Sequence, residues 1–224
     1  MRIVVESAAA GTVAPTRVVL LPAAYSALED FQKEGFVTAV RDRALACDLA
    51  FVELKLQHLT DRSILRRLRH EVVLPARALG CIVWLGGISL GGFVALAYAE
   101  RYPLEVDGLC LLAPYLGNHI VTGEIQRAHG VADWIPGHLA DDDDERRIWR
   151  FIKERRAWPG LLHFGFGRED RFAESHRLMA AALSPESVDT VPGGHEWAAW
   201  RHLWGNFLDT RFPAVGTDTK AMGT

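Results

Sequence analysis

The stretch Val83-Trp84-Leu85-Gly86-Gly87-Ile88-Ser89-Leu90-Gly91-Gly92-Phe93-Val94-Ala95 joins an apolar run to an Ala-rich helical pattern through G-x-S-x-G. A strand before and a helix after are the context in which this pattern makes a sharp turn that lifts a serine hydroxyl clear of the backbone. The small residues Gly87 and Gly91 let strand and helix backbones come close enough for such a strained turn. The helix that begins at Leu90 brings its positive end and unbonded N–H groups, that of Leu90 foremost, to the place where a carbonyl oxygen would become an oxyanion. The plain alternative is a glycine-rich turn that happens to contain a serine. The flanking strand and helix favour the first reading.

Working outward, runs rich in Val, Ile and Leu at 16–21, 49–54, 81–85, 108–113, 161–166 and 187–191 read as strands, with 2–6 as a candidate edge strand. Helical patterns at 28–45, 63–78, 90–101, 173–183 and 197–209 alternate with them. Near-continuous apolar strands separated by helices predict an α/β fold: a mostly parallel, doubly wound sheet covered on both faces. The segment 116–158 is too long for an ordinary connection, and is expected to form a small helical cap with helices near 123–132 and 142–157. The run Asp141-Asp142-Asp143-Asp144-Glu145 then lies at the positive end of the second cap helix and Arg155-Arg156 at its negative end. That explains the acids better than a calcium loop, whose spaced ligands and central glycine are missing.

The chain has 224 residues, 49% hydrophobic and 24% charged, with a net charge of −3, a recipe for one globular domain, 1–224, with a frayed tail at 215–224. The charge balance argues against a broadly basic nucleic-acid binder. No apolar stretch is long enough to span a membrane, and the N-terminus carries no export pattern. Cys47, Cys81 and Cys110 are odd in number and widely spaced, which fits a reducing, cytoplasmic setting rather than a disulfide framework or a thiolate zinc site. The sequence assigns no oligomeric state.

A serine hydroxyl becomes a nucleophile only when a neighbouring base takes its proton. Two strands downstream end in chemistry of that kind. After 161–166 comes Gly167-Arg168-Glu169-Asp170-Arg171, and after 187–191 comes Pro192-Gly193-Gly194-His195-Glu196-Trp197. The carboxyl ends of parallel strands are where sites assemble in an open sheet, so Ser89, Asp170 and His195 are expected to converge. Glu169 competes with Asp170, since the two are adjacent and the sequence does not set side-chain direction.

From 18 to about 208 the chain resembles the α/β-hydrolase superfamily, whose nucleophile, acid and base occur in this chain order. The stretch Gly193-Gly194-His195-Glu196-Trp197-Ala198-Ala199-Trp200 is similar to G-G-H-x-W-x-x-W in esterases of the esterase D and tributyrin-esterase type. The resemblance implies Ser89 as nucleophile, His195 as general base and acid, and Asp170 as the acid that orients it. It implies a small-molecule ester or thioester as substrate, and neither metal nor cofactor. Where the family carries His-Gly after its first central strand, this chain has Leu20-Leu21-Pro22-Ala23-Ala24-Tyr25. By position, Ala24 would give the second oxyanion N–H and Tyr25 would line the acyl pocket. Alanine at position 23 is less free than glycine to take positive φ.

Trp134 and Trp149 are candidates for the pocket roof, while Trp197, Trp200 and Trp204 recur at helical spacing and read as core. The other histidines, His119, His129 and His138 in the cap among them, show no metal-ligand spacing and read as surface or packing residues. Arg62, Arg66, Arg67 and Arg69 read as a solvated helix face. The same triad would serve an acyltransferase or a C–C bond hydrolase, and the same fold a receptor or scaffold with no catalysis.

Overall fold

Strands that are apolar on both faces must be covered on both, and the chain is built that way. The structure is a computed structural model that describes residues 1–155 and 158–212. The strands are β1 (Ile3–Glu6), β2 (Thr16–Leu21), β3 (Cys47–Val52), β4 (Ile82–Ile88), β5 (Gly108–Leu112), β6 (Leu161–Gly167) and β7 (Val188–Val191). They form one sheet in the order β1-β3-β2-β4-β5-β6-β7, parallel throughout except for β1 on β3. Every residue of β3 and β5 is buried, whereas the edge strands β1 and β7 are partly exposed. The pairs Leu21↔Gly87, Ile88↔Leu112 and Gly167↔Val191 set the carboxyl ends of the inner strands side by side. β3 lies two residues earlier than the sequence pattern predicts, because Cys47 pairs with Thr16 at the start of β2.

The helix expected over 28–45 is two helices, α1 (Leu28–Lys33) and α2 (Phe36–Asp42), broken where Gly35 takes φ +80°. An unanticipated short helix, α3 (Leu56–Thr60), follows β3. The helix expected over 63–78 runs as α4 (Ile64–Leu68) and α5 (Leu74–Ala78), with a π turn at Arg69–Val73 between them. Next come α6 (Leu90–Arg101), α7 (His119–Arg127), α8 (Asp144–Glu154), α9 (Ala173–Ala181) and α10 (Trp197–Arg211). Helices α1, α2 and α10 pack as one group and α4, α6 and α8 as another. The tryptophans of α10 serve the core as their spacing predicts: Trp204 is buried and donates its indole N–H to the Phe36 carbonyl at 3.0 Å.

Helices α7 and α8 stand between β5 and β6. α7 starts ahead of the expected 123 because Asn118 accepts the N–H groups of Ile120 and Val121, a polar cap that overrides the apolar pattern. α8 starts where Asp143 accepts the Arg146 N–H, with Asp144 and Glu145 in its first turn, the dipole arrangement read from the acidic run. Its Arg147 and Arg150 both bond Glu100 of α6, at 2.9 and 3.0 Å. The expected extension of α8 to 157 and the tail at 215–224 fall in part or wholly outside the described residues. Among those described, no helix is long and apolar enough to cross a membrane, and Cys47, Cys81 and Cys110 are buried and unpaired.

Candidate active site

Ser89 sits between β4 and α6 at φ +51°, ψ −112°, a backbone conformation that costs a non-glycine residue of order 1–3 kcal/mol. Three backbone bonds hold it there. Its N–H donates to Leu112 at 3.0 Å, and its carbonyl accepts from Phe93 at 3.1 Å and Tyr115 at 2.9 Å. The glycines around it are packing requirements: a Cβ on Gly87 would lie 2.5 Å from the backbone of Gly91, and one on Gly91 would lie 2.2 Å from the carbonyl oxygen of Leu21. Strand, helix and the end of β2 therefore meet with no side chain between them. Leu21 leads directly into Pro22-Ala23-Ala24-Tyr25, so the elbow abuts the loop that holds Ala24. That loop turns through a Ser26 N–H to Ala23 carbonyl bond, with Tyr25 rather than Ala23 at positive φ, +64°. Leu90 begins α6, where its N–H has no carbonyl within the helix to bond.

Asp170 follows β6 and His195 follows β7, and the two are hydrogen-bonded, Nδ1 to Oδ2, at 2.7 Å. The Asp170 side chain is fully buried and that of His195 nearly so. Burial pushes the Asp170 pKa up, but the hydrogen bonds from His195 and from the Phe172 N–H at 2.8 Å outweigh it and hold the carboxyl below its usual range. An ionised Asp170 only accepts, so the His195 proton sits on Nδ1 and Nε2 is left bare. Glu169 is engaged elsewhere, accepting the Gly193 N–H at 2.5 Å. Ser89 Oγ has no hydrogen-bond partner among the described residues. Its link to the acid–base pair runs through Tyr115, whose N–H bonds the Ser89 carbonyl and whose ring packs 6.4 Å from that of Phe172.

Three of these residues have no sequence signature. Phe172 fixes Asp170 through its N–H and packs edge-on to the His195 imidazole at 5.0 Å, opposite Trp200 at 5.1 Å. Tyr115 donates its hydroxyl to Glu145 of α8 at 2.8 Å, and Glu145 also accepts from Asn118, which ties α7 and α8 to the elbow. His176 on α9, read from the sequence as an ordinary packing or surface histidine, is fully buried near Asp170. Its Nε2–H donates to the Pro114 carbonyl at 2.9 Å, and its Nδ1 is buried without a partner among the described residues. Burial lowers its pKa to about 4, so it is neutral there.

The expected pocket residues do not gather at this point. Tyr25 is fully exposed, while Trp134 is buried and Trp149 is completely so, with its indole N–H on the Leu116 carbonyl at 2.7 Å. Both tryptophans belong to the hydrophobic core rather than a pocket roof, and the Trp149 indole, its N–H satisfied by a loop carbonyl, is most stable out of water. His119, His129 and His138 are exposed, and no three His, Cys, Asp or Glu side chains among the described residues are grouped to hold a metal ion.

No family model matches the chain. An acetyl esterase of Caldicellulosiruptor saccharolyticus is 22% identical over 140 residues, covering 56% of this chain and 53% of that protein, so the match spans about half the length of that relative. Among solved structures, a ferulic acid esterase superposes with a TM-score of 0.62 at 12% identity, over 92% of this chain and 96% of its own. Est1E from Butyrivibrio proteoclasticus gives 0.59 at 14% identity over 93% of each chain. An S-formylglutathione hydrolase from Staphylococcus aureus gives 0.55 at 13% identity over 87% and 80%. With its serine elbow after β4, its acid after β6 and its histidine after β7 on a mostly parallel seven-stranded sheet, the chain has the α/β-hydrolase fold.

Proposed function

We propose that the chain is a serine hydrolase that cleaves a carboxylic ester or thioester through Ser89, His195 and Asp170. The observation that carries this reading is the buried Asp170–His195 bond of 2.7 Å at the same carboxyl end of the parallel strands as a serine held at φ +51°. A binding module has no physical use for either. Similarity to an acetyl esterase and to esterase folds supports esters as the substrate class.

His195 Nε2 takes the Ser89 proton as Oγ attacks the carbonyl carbon, and the oxygen that gains charge is met by the N–H groups of Leu90 and Ala24. The tetrahedral intermediate collapses, the bond to the alcohol or thiol breaks, and the leaving group takes the proton from Nε2. The acyl group stays on Ser89. Water then attacks, giving its proton to Nε2; the second collapse releases the acid and returns the proton to Ser89. Asp170 remains ionised throughout, holding the proton of His195 on Nδ1 and stabilising the imidazolium.

Hydrolysis of p-nitrophenyl acetate tests the reading. Ser89→Ala and His195→Ala should each lose on the order of 10⁶ in kcat, and the double variant no more, because the residues act as a unit. A Ser89→Ala protein that keeps more than about a tenth of the activity would overturn it.

A further inference from the structure

A buried imidazole costs more to desolvate than an apolar ring of similar size. His176 nevertheless fills a place among aromatic side chains, with the rings of Phe164 and Phe166 at 6.0 and 5.1 Å from its own. A phenylalanine would suit those neighbours as well. What the imidazole adds is the Nε2–H donated to the Pro114 carbonyl. That carbonyl stands at a crossing point. The chain leaves β5 through Ala113, at φ +47°, whose N–H donates to the Gly165 carbonyl at 2.7 Å, and two residues on the Tyr115 N–H holds the Ser89 carbonyl. Pro114 between them has no N–H to give and is buried. It lies so close to the first turn of α6 that a Cβ on Gly92 would stand 2.7 Å from its own Cβ. A shift of Pro114 is therefore passed to Ser89 and to the turn that presents the Leu90 N–H.

From the same residue a second path runs to the acid. The His176 N–H donates to the Phe172 carbonyl at 3.1 Å, the Phe172 N–H holds Asp170 Oδ1, and the Ala173 N–H bonds the Asp170 carbonyl at 2.8 Å. Phe172 also packs on the His195 imidazole. The bond from His176 to Pro114 thus joins the start of α9, which carries the acid–base pair, to the segment that holds the nucleophile. It is directional and short, whereas the contact between the rings of Tyr115 and Phe172, at 6.4 Å, sets their separation less sharply.

Deepening the hydrolase reading and resting on it, we infer that His176 is a positioning residue of this site: by bonding Pro114 it fixes the separation of the Asp170–His195 pair from Ser89, and with it the reach of His195 Nε2 to the serine hydroxyl. A misplacement of about 1 Å between reacting groups costs on the order of a hundredfold in rate.

The test keeps or removes one N–H. Glutamine sets its amide nitrogen where histidine has Nε2, asparagine sets it near Nδ1 and short of Pro114, and phenylalanine fills the space with no donor. With p-nitrophenyl acetate, His176→Gln should keep kcat within about threefold, while His176→Asn and His176→Phe should lose on the order of tenfold to a hundredfold in kcat with KM within about twofold. Fluorophosphonate labelling of Ser89 should slow by the same factor. His163→Phe is the control for replacing a buried histidine as such, because His163 lies in β6 about 13 Å by the strand rise before Gly167, and its kcat should not change. Wild-type kcat in His176→Phe overturns the inference, as does an equal loss in His163→Phe. Equal kcat in the Gln and Asn variants also overturns it, a comparison that stands whether or not the Phe variant folds. In each case ester hydrolysis by the wild-type protein leaves the hydrolase reading standing; no hydrolysis and no labelling of Ser89 in the wild-type protein overturn both.

Discussion

Gly91→Ala isolates what the elbow requires of its helix. Gly91 lies inside α6, where alanine is the better helix former, so intrinsic preference alone would favour the change by about 0.5–1 kcal/mol. The surroundings oppose it, since the new Cβ would stand 2.2 Å from the Leu21 oxygen and 2.5 Å from its carbonyl carbon, where ordinary contact begins near 3.4 Å. Backbone on both sides leaves no flexible side chain to give way. Relief needs α6 and the end of β2 to separate by about 1 Å, at the usual overpacking cost of about 1–3 kcal/mol. The same shift moves the N–H of Leu90 away from the loop that carries Ala24, and loss of one oxyanion donor costs about 10²–10³ in kcat. Gly123→Ala is the control, because a Cβ on this α7 glycine meets nothing within 4 Å. Urea unfolding and p-nitrophenyl acetate turnover, run on both variants, should show Gly91→Ala less stable and at least a hundredfold slower, and Gly123→Ala unchanged or slightly more stable. A Gly91→Ala protein with wild-type stability and a kcat within about twofold of wild type would refute the close contact between elbow and β2.

Asp170→Asn keeps the shape of the side chain but lets the His195 proton move to Nε2, so kcat should fall by about 10⁴ with little change in KM; a fall under tenfold would mean that Asp170 does not set the tautomer. Below pH 6.5 stability should decline for a defined reason. His163 and His176 are neutral in the fold, with burial lowering each pKa to about 4 from the usual imidazole value of 6.5, so their contribution is complete above pH 6.5 and is lost as pH falls toward 4. The loss is roughly 3 kcal/mol per histidine at most, and His176→Phe should flatten part of that slope in urea titrations between pH 7 and 4.5. An unchanged slope in His176→Phe would show that His176 is not buried neutral.

Much of this architecture is legible without coordinates because it follows from local pattern. The parallel sheet, the turn at Ser89, and Asp170 and His195 at strand ends all rest on apolar runs interrupted by glycine-rich turns, which a linear reading can locate. What escapes such a reading depends on tertiary neighbours. A single glycine with positive φ splits the helix expected over 28–45, and a pattern that tolerates Gly35 inside a helix gives no warning. Phe172 matters because its N–H and ring happen to face Asp170 and His195, and His176 because α9 places it under the same loop; neither role has a spacing. Trp134 and Trp149 look alike as pocket or core until the path between β5 and β6 is known, since aromatic residues suit both. Between Glu169 and Asp170 the sequence offers no choice, whereas in the fold Glu169 accepts the Gly193 N–H and Asp170 bonds His195.

The most direct test of the account is reaction of the purified protein with a fluorophosphonate, followed by peptide mapping by mass spectrometry, because it reports an activated serine without a known substrate. The account predicts stoichiometric modification at Ser89, abolished in Ser89→Ala and strongly slowed in His195→Ala. Modification at another serine, or none in a protein that unfolds cooperatively, would contradict it.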